Sequence, residues 1–197
     1  MNKTSIKDER QRIKQIISCL KKGDQRSSAA EYAYFVKTYS RQVLNFTARM
    51  VPERSDAEEL AQDAFVKAFR SMPSFRFQSS FLTWVSRIAY HESLNYLKRK
   101  KAYWVNIDDV ALPDAEWDDA ELSTGREERI LLIEEALDEL PPDERMLIHL
   151  YYYEDKPLRE IAFIMDAKSK ALATRLHRIR KKLLNIINTR ENESSRR

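Results

Sequence analysis

Side chains able to do covalent or metal chemistry are few in this chain and scattered. His91, His149 and His177 lie in separate segments without Cys, Asp or Glu at zinc-ligand spacing, so no metal centre is expected. Gly23 and Gly125 are the only glycines, which excludes the glycine-rich phosphate loops of nucleotide-binding proteins. Cys19 is the single cysteine; beside Ile16 and Leu20 it reads as a small core residue, and it rules out an internal disulfide. The acidic residues Asp108 to Glu121 lack the glycine-pinned spacing of a calcium loop. No cofactor and no enzymatic activity are expected.

Nucleic-acid recognition is a better match to the residues present. Leu158, Ile161, Ala162 and Met165 give one short apolar face, Asp166-Ala167-Lys168 breaks it, and Leu172, Leu176, Ile179 and Leu183 begin another. Two helices joined by so short a turn form a helix-turn-helix. Lys170, Ala173, Thr174, His177, Arg178 and Lys181 share the face opposite the second stripe. On that face Arg178 could fork onto guanine, Thr174 could meet a thymine methyl or a phosphate, and Lys170 and Lys181 could grip the backbone. A solvated basic helix is the competing reading. A second cluster, Phe75, Phe77, Phe81 and Trp84 among Arg76, Arg87 and the Lys98–Lys101 run, mixes rings that stack on bases with cations that neutralise phosphates. Phe81 and Trp84 also fit a buried helix face, whereas Phe77 has no evident face to pack beneath.

The elements that must position these groups are helical. With 2 Gly, 6 Pro and 43% apolar residues in 197, long helices are expected and a many-turned β-sandwich is not. Ile13, Ile16, Ile17 and Leu20 mark a short helix stopped at Gly23. Tyr32, Phe35, Val36, Tyr39, Val43, Phe46 and Met50 make a stripe about five turns long, ended by Pro52. Ser55 with Glu58 predicts a reciprocal cap on the next helix, whose core face is Ala57, Leu60, Ala61, Ala64, Phe65, Ala68 and Phe69. After Pro73 and a loop over residues 74–80, a third helix carries Phe81, Trp84, Val85, Ile88, Ala89 and Tyr96 and closes on Lys98–Lys101. The last third predicts four helices: 130–140, 143 to about 153, 157–165 and 169 to about 187.

Charge divides the chain into blocks. Residues 1–101 carry a net +10, residues 102–143 a net −12 and residues 144–197 a net +6. The predicted architecture is all-α: two small helical domains, 1–101 and 127–197, joined by an acidic linker over 102–126. No stretch approaches the ~20 apolar residues of a membrane span, and Met1 to Arg12 is polar and charged, so no membrane insertion is expected and a cytoplasmic protein is.

With these residues placed, the chain resembles the extracytoplasmic-function (ECF) sigma factors of bacterial RNA polymerase. The resemblance rests on Leu20-Lys21-Lys22-Gly23-Asp24, on the run Asp56 to Phe65, on the run Phe81 to Ala89 and on Asn95-Tyr96-Leu97 in the first domain. In the second it rests on Leu140-Pro141-Pro142-Asp143-Glu144-Arg145 and on the run Arg175 to Leu183. It implies a sigma factor that binds core RNA polymerase and directs promoter recognition, DNA melting and initiation. Residues 1–101 would correspond to sigma region 2 and residues 127–197 to region 4. Glu59, Gln62 and Asp63 would face the clamp helices of the largest polymerase subunit. Arg76, Phe77, Gln78, Ser79 and Ser80 would capture a base flipped from the minus-ten element, with Trp84 and Arg87 helping to hold the melted strand. The helix-turn-helix would read the minus-thirty-five element, and an anti-sigma factor would be a further partner. The chain departs from the family pattern at Asp166, where a glycine is usual, at Lys168, where a capping Ser is common, at Ala173, often basic, and at Phe77-Gln78, often Gly-Asp. A stand-alone helix-turn-helix regulator is the alternative; it would bind a palindrome as a dimer and leave the first domain without a role.

Overall fold

In the computed structural model the described backbone covers residues 3–103 and 126–194, and the described side chains residues 7–100 and 132–190. The expected acidic linker therefore lies almost wholly outside the described residues. Those residues form eight α-helices and no strand: α1 Lys3–Lys21, α2 Gln25–Met50, α3 Arg54–Ser71, α4 Phe81–Tyr103, α5 Arg126–Asp138, α6 Pro142–Ile148, α7 Leu158–Met165 and α8 Ser169–Ser194. They belong to two compact units, residues 1–100 with 162–167, and residues 101–161 with 168–197.

In the first unit α1 stops where Gly23 adopts φ +77. There the Asp24 amide donates to the Cys19 carbonyl at 3.0 Å, the Schellman closure that a left-handed residue permits. Asp24 then caps α2 by accepting the Ser27 amide at 3.0 Å; hydrogen bonding from the Ser27 side chain first, and from this amide second, holds its carboxyl below the usual carboxylate range. The predicted α2 stripe is buried at Tyr32, Phe35, Tyr39, Val43, Phe46 and Met50, while Val36 is only half-buried.

The predicted reciprocal cap on α3 does not form. The helix begins earlier, with Glu53 at the cap and no side-chain cap bond; Ser55 lies inside the first turn, and Glu58 instead pairs with Arg54 at 3.0 Å. Tertiary packing decides this register. The Thr47 hydroxyl donates to the Ala57 carbonyl at 2.8 Å, and the buried Ala57, Leu60, Ala61, Ala64 and Ala68 let α3 lie close against α2. The Tyr32 hydroxyl, donating to the Phe65 carbonyl at 2.7 Å, adds a second clasp.

Phe81, 1% exposed, organises the junction before α4. Its ring centroid lies 4.4 Å from Phe35, 5.9 Å from Tyr32 and 6.0 Å from Tyr39. An aromatic nail at the first residue of α4 thus fixes the end of the preceding loop against α2. The helix itself runs two residues beyond the expected Lys101 end.

In the second unit, Leu140, Met146, Leu147, Leu150, Leu172, Leu176, Ile179 and Ile187 are buried. Arg190 pairs with Glu135 and Glu139, and Arg175 with Asp143, tying α8 to α5 and α6. The helix expected over 143–153 has two windings. α6 ends at Ile148, and residues His149–Tyr153 form a π-helical turn. That turn buries Leu150 and leaves Tyr152 and Tyr153 exposed, with the His149 ring stacked on Tyr153 at 5.3 Å.

Candidate nucleic-acid interface

The loop between α3 and α4 is built from its ends inward. Ser80 caps α4: its Oγ accepts the Thr83 amide at 3.0 Å and shares a hydroxyl hydrogen bond with Thr83 at 2.6 Å. Its carbonyl accepts the Trp84 amide at 3.1 Å. The hydroxyl expected to face DNA is thus committed to the helix terminus, which otherwise leaves several amides without partners. Phe75 is buried and packs on Trp84 at 4.7 Å, so Trp84, only half-buried, closes one side of the loop.

Phe77 is held at φ +57, a left-handed conformation that a bulky residue adopts only when its surroundings impose it. Its ring lies 5.0 Å from Phe75, and the Arg10 guanidinium sits 5.1 Å from its centroid. Here the structure supplies the face that the sequence did not offer. A pocket of about 320 Å³ opens beneath, walled by Glu9, Arg10 and Ile13 of α1 and by Phe75, Phe77 and residues 78–81. Arg76 and Gln78 are exposed, Ser79 is half-buried, and Arg87 is half-buried on α4. Of the basic run closing α4, Lys100 is drawn onto the Tyr96 hydroxyl at 2.9 Å and towards Asp56 at 3.4 Å. Lys98 and Arg99 are exposed.

Glu9 and Arg10 had no place in the sequence reading. They precede the loop by more than sixty residues, and only the packing of α1 brings them to it.

On α8, Lys170, Ala173, Thr174, His177 and Arg178 are exposed and Lys181 is half-buried, whereas Leu172, Leu176 and Ile179 are each 2% exposed. The six residues expected on one face are therefore on one face. Asp166 takes the turn at φ +54, and the Ala167 amide donates to the Ala162 carbonyl at 3.0 Å. Asp does here what glycine does at the end of α1, because its short polar side chain tolerates the left-handed region. α8 starts at Ser169, with the Lys168 carbonyl accepting the Leu172 amide at 3.1 Å. Lys168 thus holds the cap position itself.

Glu59, Gln62 and Asp63 are exposed on α3. Gln62 borders an apolar groove of about 720 Å³ between α2 and α3, floored by Tyr32, Val36, Leu44 and Phe65 and edged by Val66. Val66 is 46% exposed; an apolar residue lying off the buried stripe is the kind of signal by which the sequence could have pointed to this groove. Among the described residues no group of three or more His, Cys, Asp or Glu could hold a metal ion, and no helix is long and apolar enough to cross a membrane.

A strained aromatic loop in one helical unit, and a helix-turn-helix whose second helix, α8, presents an exposed basic face, define a DNA-binding transcription protein. Sigma-70 region 2 matches residues 35–103 and Sigma-70 region 4 matches residues 130–183. The ECF RNA polymerase sigma-E factor of Escherichia coli K12 is 30% identical over 179 residues, covering 86% of this chain and 91% of the relative. The RNA polymerase sigma-H factor of Pseudomonas aeruginosa is 27% identical over 176 residues, covering 84% and 89%. Among solved structures, CnrH in complex with the cytosolic domain of CnrY has TM-score 0.60 at 19% identity, covering 92% of this chain and 97% of that one. The sigma factor RpoE of Bartonella quintana, in complex with the anti-sigma factor NepR, has TM-score 0.57 at 20% identity, covering 80% and 97%. The chain belongs to the sigma-70 family and within it to the ECF sigma factors. It is a transcription initiation factor that associates with RNA polymerase and binds promoter DNA. The region 2 match accounts for the domain that a stand-alone helix-turn-helix regulator leaves without a role.

Proposed function

We propose that promoter reading in this sigma factor is divided between two sets of residues, one on each unit. Lys170, Ala173, Thr174, His177, Arg178 and Lys181 of α8 meet the minus-thirty-five element in the major groove, with Arg178 reading bases and Lys181 gripping phosphate. Arg76, Phe77, Gln78 and Ser79 take a base extruded from the minus-ten element, Trp84 and Arg87 hold the melted strand, and Ser80 shapes the loop as a cap. Extrusion costs a few kcal/mol, which stacking and edge hydrogen bonds at the pocket offset. Glu59, Gln62 and Asp63 of α3, of which Gln62 borders the apolar groove, dock on the clamp helices of the largest polymerase subunit. The domains are residues 1–101 and 127–197 with an acidic tether between them; linking two weak DNA contacts raises the effective concentration of each.

The observation that carries this reading is the exposed row Lys170 to Arg178 set opposite a stripe buried at Leu172, Leu176 and Ile179. The protein acts without catalysis of its own, in the cytoplasm, where its polymerase is. An anti-sigma factor is a further partner; the complex of Bartonella RpoE with NepR supports such an inhibitor here. The test is to reconstitute the chain with core polymerase and sequence the DNA bound. Two short motifs at fixed spacing, dependent on core polymerase, are expected. A palindrome bound without core polymerase would refute the reading.

A further inference from the structure

The pocket under the α3–α4 loop has a polar wall that the loop does not supply. Glu9, from α1, is 6% exposed and lines it. The Tyr39 hydroxyl donates to its Oε1. Burial, and after it this hydrogen bond to Glu9, push the ionisation of Tyr39 upward, so the hydroxyl remains a donor and holds the carboxylate in place. An ionised carboxylate offers about four acceptor sites and no donor, and Tyr39 occupies one of them. Arg10, the next residue, lies over the Phe77 ring and brings a cation to the rim, where it offsets repulsion between Glu9 and the phosphates of an approaching strand.

We propose that Glu9 is a specificity-determining residue for the extruded minus-ten base, selecting one with an exocyclic amino group against thymine; this rests on the loop reading above. The chemistry is that of donor and acceptor matching. Cytosine N4, adenine N6 and guanine N2 each present N–H to an acceptor, and a carboxylate accepting from a cytosine amino group is an established pairing. Thymine carries no amino group. Its one ring N–H lies between two carbonyl oxygens, which a carboxylate repels. Phe77 supplies the stacking face, and the Glu9 carboxylate reads the edge. Selection against thymine is thus made by a residue on α1, outside the loop.

The test uses holoenzyme assembled from core polymerase and the full chain. Its affinity is measured by fluorescence anisotropy for fork-junction DNA whose minus-ten strand is single-stranded, with each of the four bases placed in turn at each position. At one position thymine should bind about tenfold more weakly than the best amino-bearing base, the size of one charge-assisted hydrogen bond. Glu9→Gln supplies an amide that can donate to a thymine carbonyl and should cut this to about twofold, by improving thymine rather than weakening everything. Tyr39→Phe keeps the carboxylate but frees it, and should lower discrimination part of the way. Phe77→Ala reports on the loop: loss of preference at that position supports the pocket, and unchanged preference everywhere sinks the loop reading itself. If Phe77→Ala abolishes the preference while Glu9→Gln and Tyr39→Phe both leave discrimination against thymine intact, or weaken all four bases alike, the role given to Glu9 is wrong although the loop reading stands.

Discussion

Replacing Ser80 with Ala separates two functions that one hydroxyl could serve at the promoter-facing loop. The side chain accepts the Thr83 amide at 3.0 Å and bonds the Thr83 hydroxyl at 2.6 Å. Loss of an N-cap costs about 1 kcal/mol, and the part-buried hydroxyl pair adds about 0.5 kcal/mol, the lower end for a hydrogen bond. A destabilisation of about 1.5 kcal/mol, in a unit of roughly 100 residues, should lower its melting temperature by about 7 °C. Circular dichroism of the free chain measures this, and amide exchange at Thr83 and Trp84 should quicken in parallel. Ser80→Asp keeps an acceptor at the cap and should restore most of the stability, while its new charge disfavours any strand passing close by. Capping as the first role therefore requires Asp to rescue folding that Ala loses. Should Ser80→Ala melt within a degree of the parent while promoter affinity falls, the hydroxyl is a DNA contact and the cap argument fails.

Charge reversal at Glu59 and Asp63 should lower core polymerase affinity by tenfold or more while shifting thermal unfolding by less than about 0.5 kcal/mol, as expected of exposed residues with no core role; unchanged affinity in a core-binding titration would remove them from the docking face. Arg178→Ala should cost about 1–3 kcal/mol of DNA binding and relax preference at one or two minus-thirty-five positions, whereas Lys181→Ala should weaken all sequences alike and reduce the salt slope by about one. A panel of single-base promoter variants at two salt concentrations separates the two signatures, and equal losses at every base for Arg178→Ala would move base reading elsewhere on the helix. Glu154 is held below its ordinary value chiefly by its hydrogen bond with His149, and next in favour of the charged form by Lys156. A lowered folded-state value means that its stabilisation is present above the unfolded value near 4.5 and is lost as pH falls through the folded one. Melting temperatures between pH 6 and pH 3 should therefore fall less steeply for Glu154→Gln than for the parent, and identical slopes would contradict the pairing.

The stripe on α2 was legible because a 3.6-residue period in apolar residues has one stable outcome, a helix with that face buried. The same holds for the α3 stripe and for the basic row on α8, whose exposure follows from the burial of Leu172, Leu176 and Ile179 opposite. Gly23 and Asp166 were legible as helix stops because few residues accept positive φ, and both adopt it. The cap at Ser55 misled because a cap stabilises by about 1 kcal/mol, less than the packing of Ala57, Leu60 and Ala61 against α2 contributes. The π-helical turn at His149–Tyr153 escaped because what distinguishes it, a buried Leu150 beside an exposed Tyr152 and Tyr153, is not set by local propensity.

Fold class followed from local patterns along the chain, since stripes, stops and the helix-turn-helix spacing are properties of near neighbours, while the family followed from the resemblance carried by short runs such as Asp56 to Phe65 and Arg175 to Leu183. The pocket was decided by tertiary structure. Phe77 reaches φ +57 only because Phe81 is pinned among Phe35, Tyr32 and Tyr39 while Phe75 is buried beneath it. Glu9 and Arg10 reach the loop only because α1 packs along α2 and the Tyr39 hydroxyl meets Glu9. Contacts between residues thirty to seventy positions apart carry no period and no local signature, so which side chains share a site is determined by how the helices pack.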